Sequence, residues 1–83
     1  MDFATAQNTI KTITKRPTNE ELLELYALFK QATAGDVTGK RPGMLNLKAR
    51  YKYDTWAGLK GTSSADAESR YVALVESLVA KYS

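Results

Sequence analysis

The sequence predicts an all-α fold of four helices, and three observations predict it. Apolar residues recur at three- and four-residue spacing in four separate segments, the period of an amphipathic helix. Start and stop signals frame those segments: Thr18 and Ser63 each precede an acid by three residues, while Pro17, Gly35 and Gly61 stand where helices would end. No alternation of apolar and polar residues runs for more than a few positions, so no strand is expected. A chain of 83 residues is sized for one domain, here expected to span 1–83, with little room for a second core.

The first helix is expected from about Phe3 to Thr14, with Phe3, Ala6, Ile10 and Ile13 on one face. Its β-branched and Thr/Asn content lowers helix propensity, so it depends on docking for stability. Lys15-Arg16-Pro17 ends it, because the residue before a proline is pushed out of the α region. Thr18 and Glu21 have the capping-box spacing and open the second helix, with Glu20, Glu21 and Glu24 at the positive end of its dipole. Leu22, Leu25, Tyr26, Phe29 and Ala32 make one stripe of it; Leu23, Ala27 and Lys30 make another. Residues 35–46 form a loop broken by Gly35, Gly39, Pro42 and Gly43, and the apolar Met44, Leu45 and Leu47 predict that part of it packs inward. Asn46 caps a third helix, about Leu47 to Lys60, with Trp56 in the core. Ser63 with Asp66 opens the fourth, about Ser64 to Lys81, with a stripe of Ala67, Tyr71, Leu74, Val75, Leu78 and Tyr82. Short connections fit a bundle, and the one long loop is of the kind that usually carries function.

Composition narrows the chemistry. There is no Cys, hence no disulfide, thiolate ligand or thiol nucleophile, and no His, hence no His-based zinc site, Ser-His or Cys-His pair. Asp54 and Asp66 are too isolated to work as paired carboxylates. The N-terminus lacks a basic segment followed by an apolar run, and no apolar stretch approaches ~20 residues, so a soluble cytoplasmic protein is expected. The Gly-rich loop is not a phosphate-cradling P-loop, since Gly-x-x-x-x-Gly-Lys-Ser/Thr is absent.

Charge is concentrated rather than large. The net charge is +3, and seven of the 12 basic residues lie between Lys30 and Lys60, with Asp36 and Asp54 as the only acids among them. Lys48 and Lys52 are four apart on a helix, where like charges repel by a few tenths of a kcal/mol, a cost that a bound anion removes. Tyr26 has Lys30 one turn away, so a phenol and an ammonium can address one phosphate. A stripe tyrosine such as Tyr26 or Tyr71 is commonly a core residue, and a short basic run is commonly a solvated face. Cations interleaved with Tyr51 and Tyr53 also suit single-stranded nucleic acid. These patterns leave two classes, a carrier of an anionic amphiphile or nucleotide and a nucleic-acid-binding helical module, with an enzyme a distant third.

Three tracts then bear a specific resemblance. Tyr26-Ala-Leu-Phe-Lys-Gln-Ala-Thr-Ala-Gly-Asp36, Lys40-Arg-Pro-Gly-Met44 and Lys52-Tyr-Asp-Thr-Trp56, continuing to Leu59-Lys60-Gly61-Thr-Ser63, resemble the acyl-CoA-binding proteins over essentially the whole chain. The resemblance implies an up-down-down-up four-helix bundle, a monomer that carries medium- and long-chain fatty acyl-CoA without chemistry or cofactor, transient contacts with acyl-CoA-using enzymes or membranes, and no nucleic-acid partner. By position it implies that Tyr26, Lys30, Lys52 and Tyr71 hold the CoA 3′-phosphate, that Phe29 lies near the adenine, and that Tyr26, Ala27, Leu28, Phe29 and Lys30 form the nucleotide rim. Lys48 and Lys11 match further binding positions, Lys11 toward the head group, and Leu22 and Leu23 resemble residues of the acyl groove. The chain departs from the family pattern at Phe29 (often Tyr), Tyr53 (usually Trp), Glu24 (often apolar) and Tyr51 (often small).

Overall fold

The computed structural model describes residues 1–83 and contains four α-helices: α1 (Phe3–Thr9), α2 (Asn19–Ala34), α3 (Leu47–Ala57) and α4 (Ser64–Tyr82). Helix α1 packs on α4, α4 on α2, and α2 on α3, while α3 packs on no helix but α2. The result is a thin slab of 35 × 27 × 15 Å. Contacts between named residues give the directions. Phe3 meets Tyr71 and Thr14 meets Tyr82, so α1 runs with α4. Glu21 meets Tyr82 and Phe29 meets Tyr71, so α2 runs against α4. Tyr26 meets Lys52 and Lys30 meets Trp56, so α2 and α3 are parallel. This is an up-down-down-up bundle, and the parallel pair is why α2 and α3 need the long crossover of residues 35–46.

Two helices stop earlier than the apolar period predicts. After Thr9 the first helix tightens to a 3₁₀ turn, Ile10–Thr12, instead of continuing to Thr14. The Thr9 and Thr12 hydroxyls donate to the carbonyls of Thr5 and Thr9, and Ile13 is already extended. Such local side-chain bonds compete with the helix ladder. The amides of Thr14 and Lys15 then donate to the Tyr82 carbonyl, both at 3.2 Å, tying the first segment to the end of α4. Helix α3 ends at Ala57 rather than Lys60, because from Gly58 the chain passes into turns, with Leu59, Lys60 and Thr62 amides bonding three residues back.

The caps agree with the signals in the chain. Thr18 and Glu21 form the reciprocal capping box, the Ser63 hydroxyl accepts from the Asp66 amide, and Asn46 Oδ1 accepts from the Ala49 amide. Gly35 ends α2 at φ 81°, a left-handed value that favours glycine.

The core is formed by Ala6, Leu25, Leu28, Tyr71, Val75 and Leu78. On α2 the buried line is therefore Leu25, Leu28 and Gln31, not the stripe through Tyr26 and Phe29. Helix α2 is sandwiched between α3 and α4, so it needs two inward faces, and Ala27, fully buried outside this cluster, lies on the face that Leu23 and Lys30 share. The expectation that the loop packs inward is overturned. Met44, Leu45 and Leu47 are 68%, 106% and 46% exposed, because α3 lies at the edge of the slab with no further helix to cover its N-terminal end.

One polar knot, buried at Gln31 and Trp56 and open to solvent at Asp36, positions α3. Trp56 Nε1 donates to Gln31 Oε1 at 3.1 Å and to the Gly35 carbonyl at 2.8 Å. Gln31 Nε2 donates to Asp36 Oδ1 and the Thr62 carbonyl, each at 2.8 Å, and the Gly61 amide donates to Asp36 Oδ1 at 2.9 Å. Gln31 is 1% exposed with its amide fully used, as a buried polar group requires. Much of the tract from Gln31 to Asp36, and Trp56 with it, therefore serves to dock α3 and the α3–α4 turn onto α2.

Candidate functional site

Because α2 and α3 run parallel in matching register, their facing side chains pair at four-residue steps. Leu22 and Lys48 line one groove, Lys52 Nζ lies 5.0 Å from the Tyr26 ring centroid, and Lys30 Nζ lies 5.1 Å from that of Trp56. From Leu22 to Lys30 the ladder extends about 12 Å along α2 at the helical rise. At its lower end the two helices leave a groove of about 400 Å³ lined by Asn19, Leu22, Leu23, Lys48, Tyr51 and Lys52. That volume lies within the ~300–1,000 Å³ of ordinary small-molecule sites. Leu22 and Leu23 offer an apolar wall on α2, and Lys48, Tyr51 and Lys52 line the α3 side.

The cations here are free to bind. The protein contains two salt bridges, Arg41–Asp54 and Lys81–Glu21, and neither uses Lys11, Lys30, Lys48 or Lys52. Holding Lys30 and Lys52 over aromatic faces steers their ammonium groups without neutralising them, an interaction of about 0.5–1 kcal/mol at exposed sites. The hydroxyls of Tyr26 and Tyr71 donate to no protein group, and no buried side-chain polar atom is left without a partner, so both remain at accessible surface.

On the adjacent flank of α2, Phe3, Phe29 and Tyr71 form an aromatic cluster. Phe3 and Tyr71 meet edge to face at 5.1 Å, Phe3 and Phe29 stack at 6.1 Å, and Phe29 and Tyr71 tilt at 6.5 Å. Phe29 keeps 36% of its surface exposed while Tyr71 keeps 6%, and burial pushes the Tyr71 phenol up from its ordinary pKa of 10.0. Tyr71 therefore stays a neutral donor at physiological pH.

The structure thus brings Leu22, Leu23, Tyr26, Lys30, Lys48 and Lys52 to one face, and Phe29 with Tyr71 to the adjacent one. Ala27 and Leu28 are 0% and 1% exposed; their side chains offer no surface to a ligand and instead back the rim. Lys11 lies exposed on the 3₁₀ turn and is not among the residues that line the groove. Reading the residues alone did not place Phe3 in the aromatic cluster or Asn19 in the groove. Phe3 reads as an ordinary core residue of α1, and Asn19, the first residue of α2, carries no signal beyond its helix-start position.

The comparisons with known proteins agree with this geometry. The family described as "Acyl CoA binding protein" matches residues 1–75. The acyl-CoA-binding protein of Saccharomyces cerevisiae is 49% identical over 81 residues, 98% of this chain and 93% of its own length. The acyl-CoA-binding protein homolog 1 of Caenorhabditis elegans is 51% identical over 82 residues, 99% of this chain and 95% of its own. The crystal structure of Oryza sativa acyl-CoA-binding protein 2 superposes with a TM-score of 0.91 at 42% identity, covering 95% of this chain and 86% of that one. With the family matching nearly end to end and the bundle direction and groove-bearing helix pair in place, the chain belongs to the acyl-CoA-binding protein family.

Proposed function

We propose that the protein is a single acyl-CoA-binding domain, residues 1–83, that binds medium- and long-chain fatty acyl-CoA esters and carries them without chemistry. The observation that carries this reading is the α2–α3 groove. An apolar wall of Leu22 and Leu23 faces unpaired Lys48 and Lys52, and the ladder continues to Tyr26 and Lys30. A ligand that is polyanionic at one end and aliphatic at the other matches both parts. Lys30, Lys52, Tyr26 and Tyr71 supply charge-assisted and neutral hydrogen bonds to the 3′-phosphate, and Phe29 packs near the adenine. Lys48, and Lys11 from the 3₁₀ turn, add positive potential toward the head group. Ala27 and Leu28 hold the rim in shape from behind. The acyl chain enters the groove at Leu22 and Leu23, each buried methylene contributing up to ~0.8 kcal/mol. Tyr51, where the family often has a small residue, narrows that groove, which bears on chain-length preference; Glu24 is exposed and lies outside the lining.

The carrier acts as a cytoplasmic monomer that meets acyl-CoA-using enzymes or membranes transiently. Isothermal titration calorimetry with a series of acyl-CoAs, free CoA and free palmitate tests this. One-to-one binding that tightens with chain length and needs both halves of the ligand is expected. Equal affinity for palmitate and palmitoyl-CoA would overturn the phosphate contacts. Oligonucleotide binding with a steep salt slope would instead favour the nucleic-acid module.

A further inference from the structure

The crossover between α2 and α3 carries apolar surface that the groove does not use. The Asn46 amide donates to the Gly43 carbonyl at 3.1 Å, closing a turn with Met44 and Leu45 at its corner. Turn corners ordinarily hold Gly, Pro, Asn, Asp or Ser. Here they hold two large hydrophobics, and four of the six exposed large hydrophobics in the chain fall within residues 44–51: Met44, Leu45, Leu47 and Tyr51. Soluble surfaces scatter such residues singly, whereas a contiguous group marks an interaction site.

The corner is braced from both sides. Arg41 makes a bidentate pair with Asp54 at 2.7 and 2.6 Å, and the Tyr53 hydroxyl donates to the Gly39 carbonyl at 3.0 Å. Asn46 caps α3 directly after the turn. The exposed pair is thus held outward by a fastened loop.

The charge around it has one sign. Of the 17 residues from Val37 to Tyr53, five are basic and none is acidic. Arg41 is answered by Asp54, while Lys40, Lys48, Arg50 and Lys52 have no ion-pair partner. Lys48 occupies the first turn of α3, the end of the helix dipole that disfavours a cation, and it also repels Lys52 one turn on. An anionic surface relieves both penalties.

The geometry points to an anionic lipid bilayer as the occupant of this tip. Met44, Leu45 and Leu47 enter the acyl boundary, and Lys40, Lys48 and Arg50 lie at the head groups. A second copy of the chain is a poor occupant, because it would bring a positive patch against an identical one. Leu47 and Tyr51 are one helical turn apart and carry apolar surface from the corner to the groove, which Tyr51 and Lys48 line. Docking by the tip therefore turns the open side of the groove toward the leaflet, where an acyl chain can pass between them. That purpose rests on the acyl-CoA reading; the docking itself needs no ligand.

The test is co-sedimentation of the unliganded protein with phosphatidylcholine vesicles, with and without phosphatidylserine. The Leu45→Asp and Met44→Ser/Leu45→Ser variants are run in parallel, and calorimetry with a soluble medium-chain acyl-CoA is made on each. The wild type is expected to bind the serine-containing vesicles. Both variants should partition about tenfold or more weakly, with acyl-CoA affinity unchanged because neither residue lines the groove. Absence of vesicle binding in a protein that binds acyl-CoA overturns the docking and leaves the carrier reading intact. Equal binding to phosphatidylcholine alone, or retention by Leu45→Asp, also overturns it. A wild-type dimer that Leu45→Asp dissociates assigns the tip to self-association and overturns it as well. Vesicle binding lost in the variants of a protein that does not bind acyl-CoA upholds the docking and removes the carrier reading.

Discussion

Lys52→Met tests the proposed contribution of one cation to head-group binding. Methionine keeps most of the stem that packs beside Tyr26 and removes the charge, which lies 5.0 Å from that ring. In the unliganded protein the loss is one exposed cation–π contact, about 0.5–1 kcal/mol. It is partly offset by relief of the Lys48–Lys52 repulsion, a few tenths of a kcal/mol. Stability should therefore change by about half a kcal/mol, a shift in Tm of only a few degrees. Binding should suffer far more. A charge-assisted hydrogen bond to phosphate contributes about 1.5–3 kcal/mol, so affinity for a long-chain acyl-CoA should fall roughly 10- to 150-fold. The gap between wild type and variant should narrow as salt is raised, because the Debye length shrinks to about 10 Å at 0.1 M and less beyond. Calorimetric titration at two ionic strengths, with a thermal melt of each protein, measures all three. A folded variant that binds within about twofold of wild type would refute the assignment of Lys52 to the phosphate. A variant destabilised by several kcal/mol would show that the lysine is structural.

Gln31→Leu removes three hydrogen bonds of the polar knot while Trp56 keeps Gly35 and Asp36 keeps Gly61. At about 0.5–1.5 kcal/mol each, the cost is roughly 2–4 kcal/mol, read as a fall in urea midpoint, and a loss below about 1 kcal/mol would mean the knot is incidental. Acid should weaken the fold through Glu21. The Tyr82 hydroxyl first, then the Thr18 amide and Lys81, hold its carboxyl at about 2 against an ordinary 4.5. A depressed carboxylate contributes stability that is complete above about 4.5 and lost as pH falls toward 2, so the Glu21→Gln variant should show a flatter decline of midpoint over that window. Asp36 and Asp54, also held below their usual range, chiefly by the Gly61 amide and by Arg41 respectively, should keep some slope in that variant. Hydrogen exchange should separate α3 from α4. Helix α3 packs on α2 alone and buries only Trp56, so its amides should exchange well before those of α4, which buries Ala67, Tyr71, Val75 and Leu78; equal protection would contradict this.

Local chemistry was sufficient for much of this protein. Helix starts at Thr18, Asn46 and Ser63 are set by side chains that reach an amide three residues away, so they are legible in any short window of the chain. The α4 stripe is legible for the same reason, since the helix has one inward face and its period is continuous. The basic, aromatic-rich tract from Lys30 to Lys60 and the spacing of Tyr26, Lys30, Lys52 and Trp56 marked the region of the candidate site. Other features depend on what lies opposite. Helix α2 has two inward faces, so its period alone could not tell Leu28, at 1% exposure, from Phe29, at 36%. The fates of Met44, Leu45 and Leu47 depend on whether another element covers the edge of the slab, and none does. The pairing of Lys52 with Tyr26 and of Lys30 with Trp56 required α2 and α3 to be parallel and in register. That register is held by the Gln31–Trp56 and Asp36–Gly61 bonds, each between residues 25 positions apart across the α2–α3 junction, and only tertiary packing brings them together.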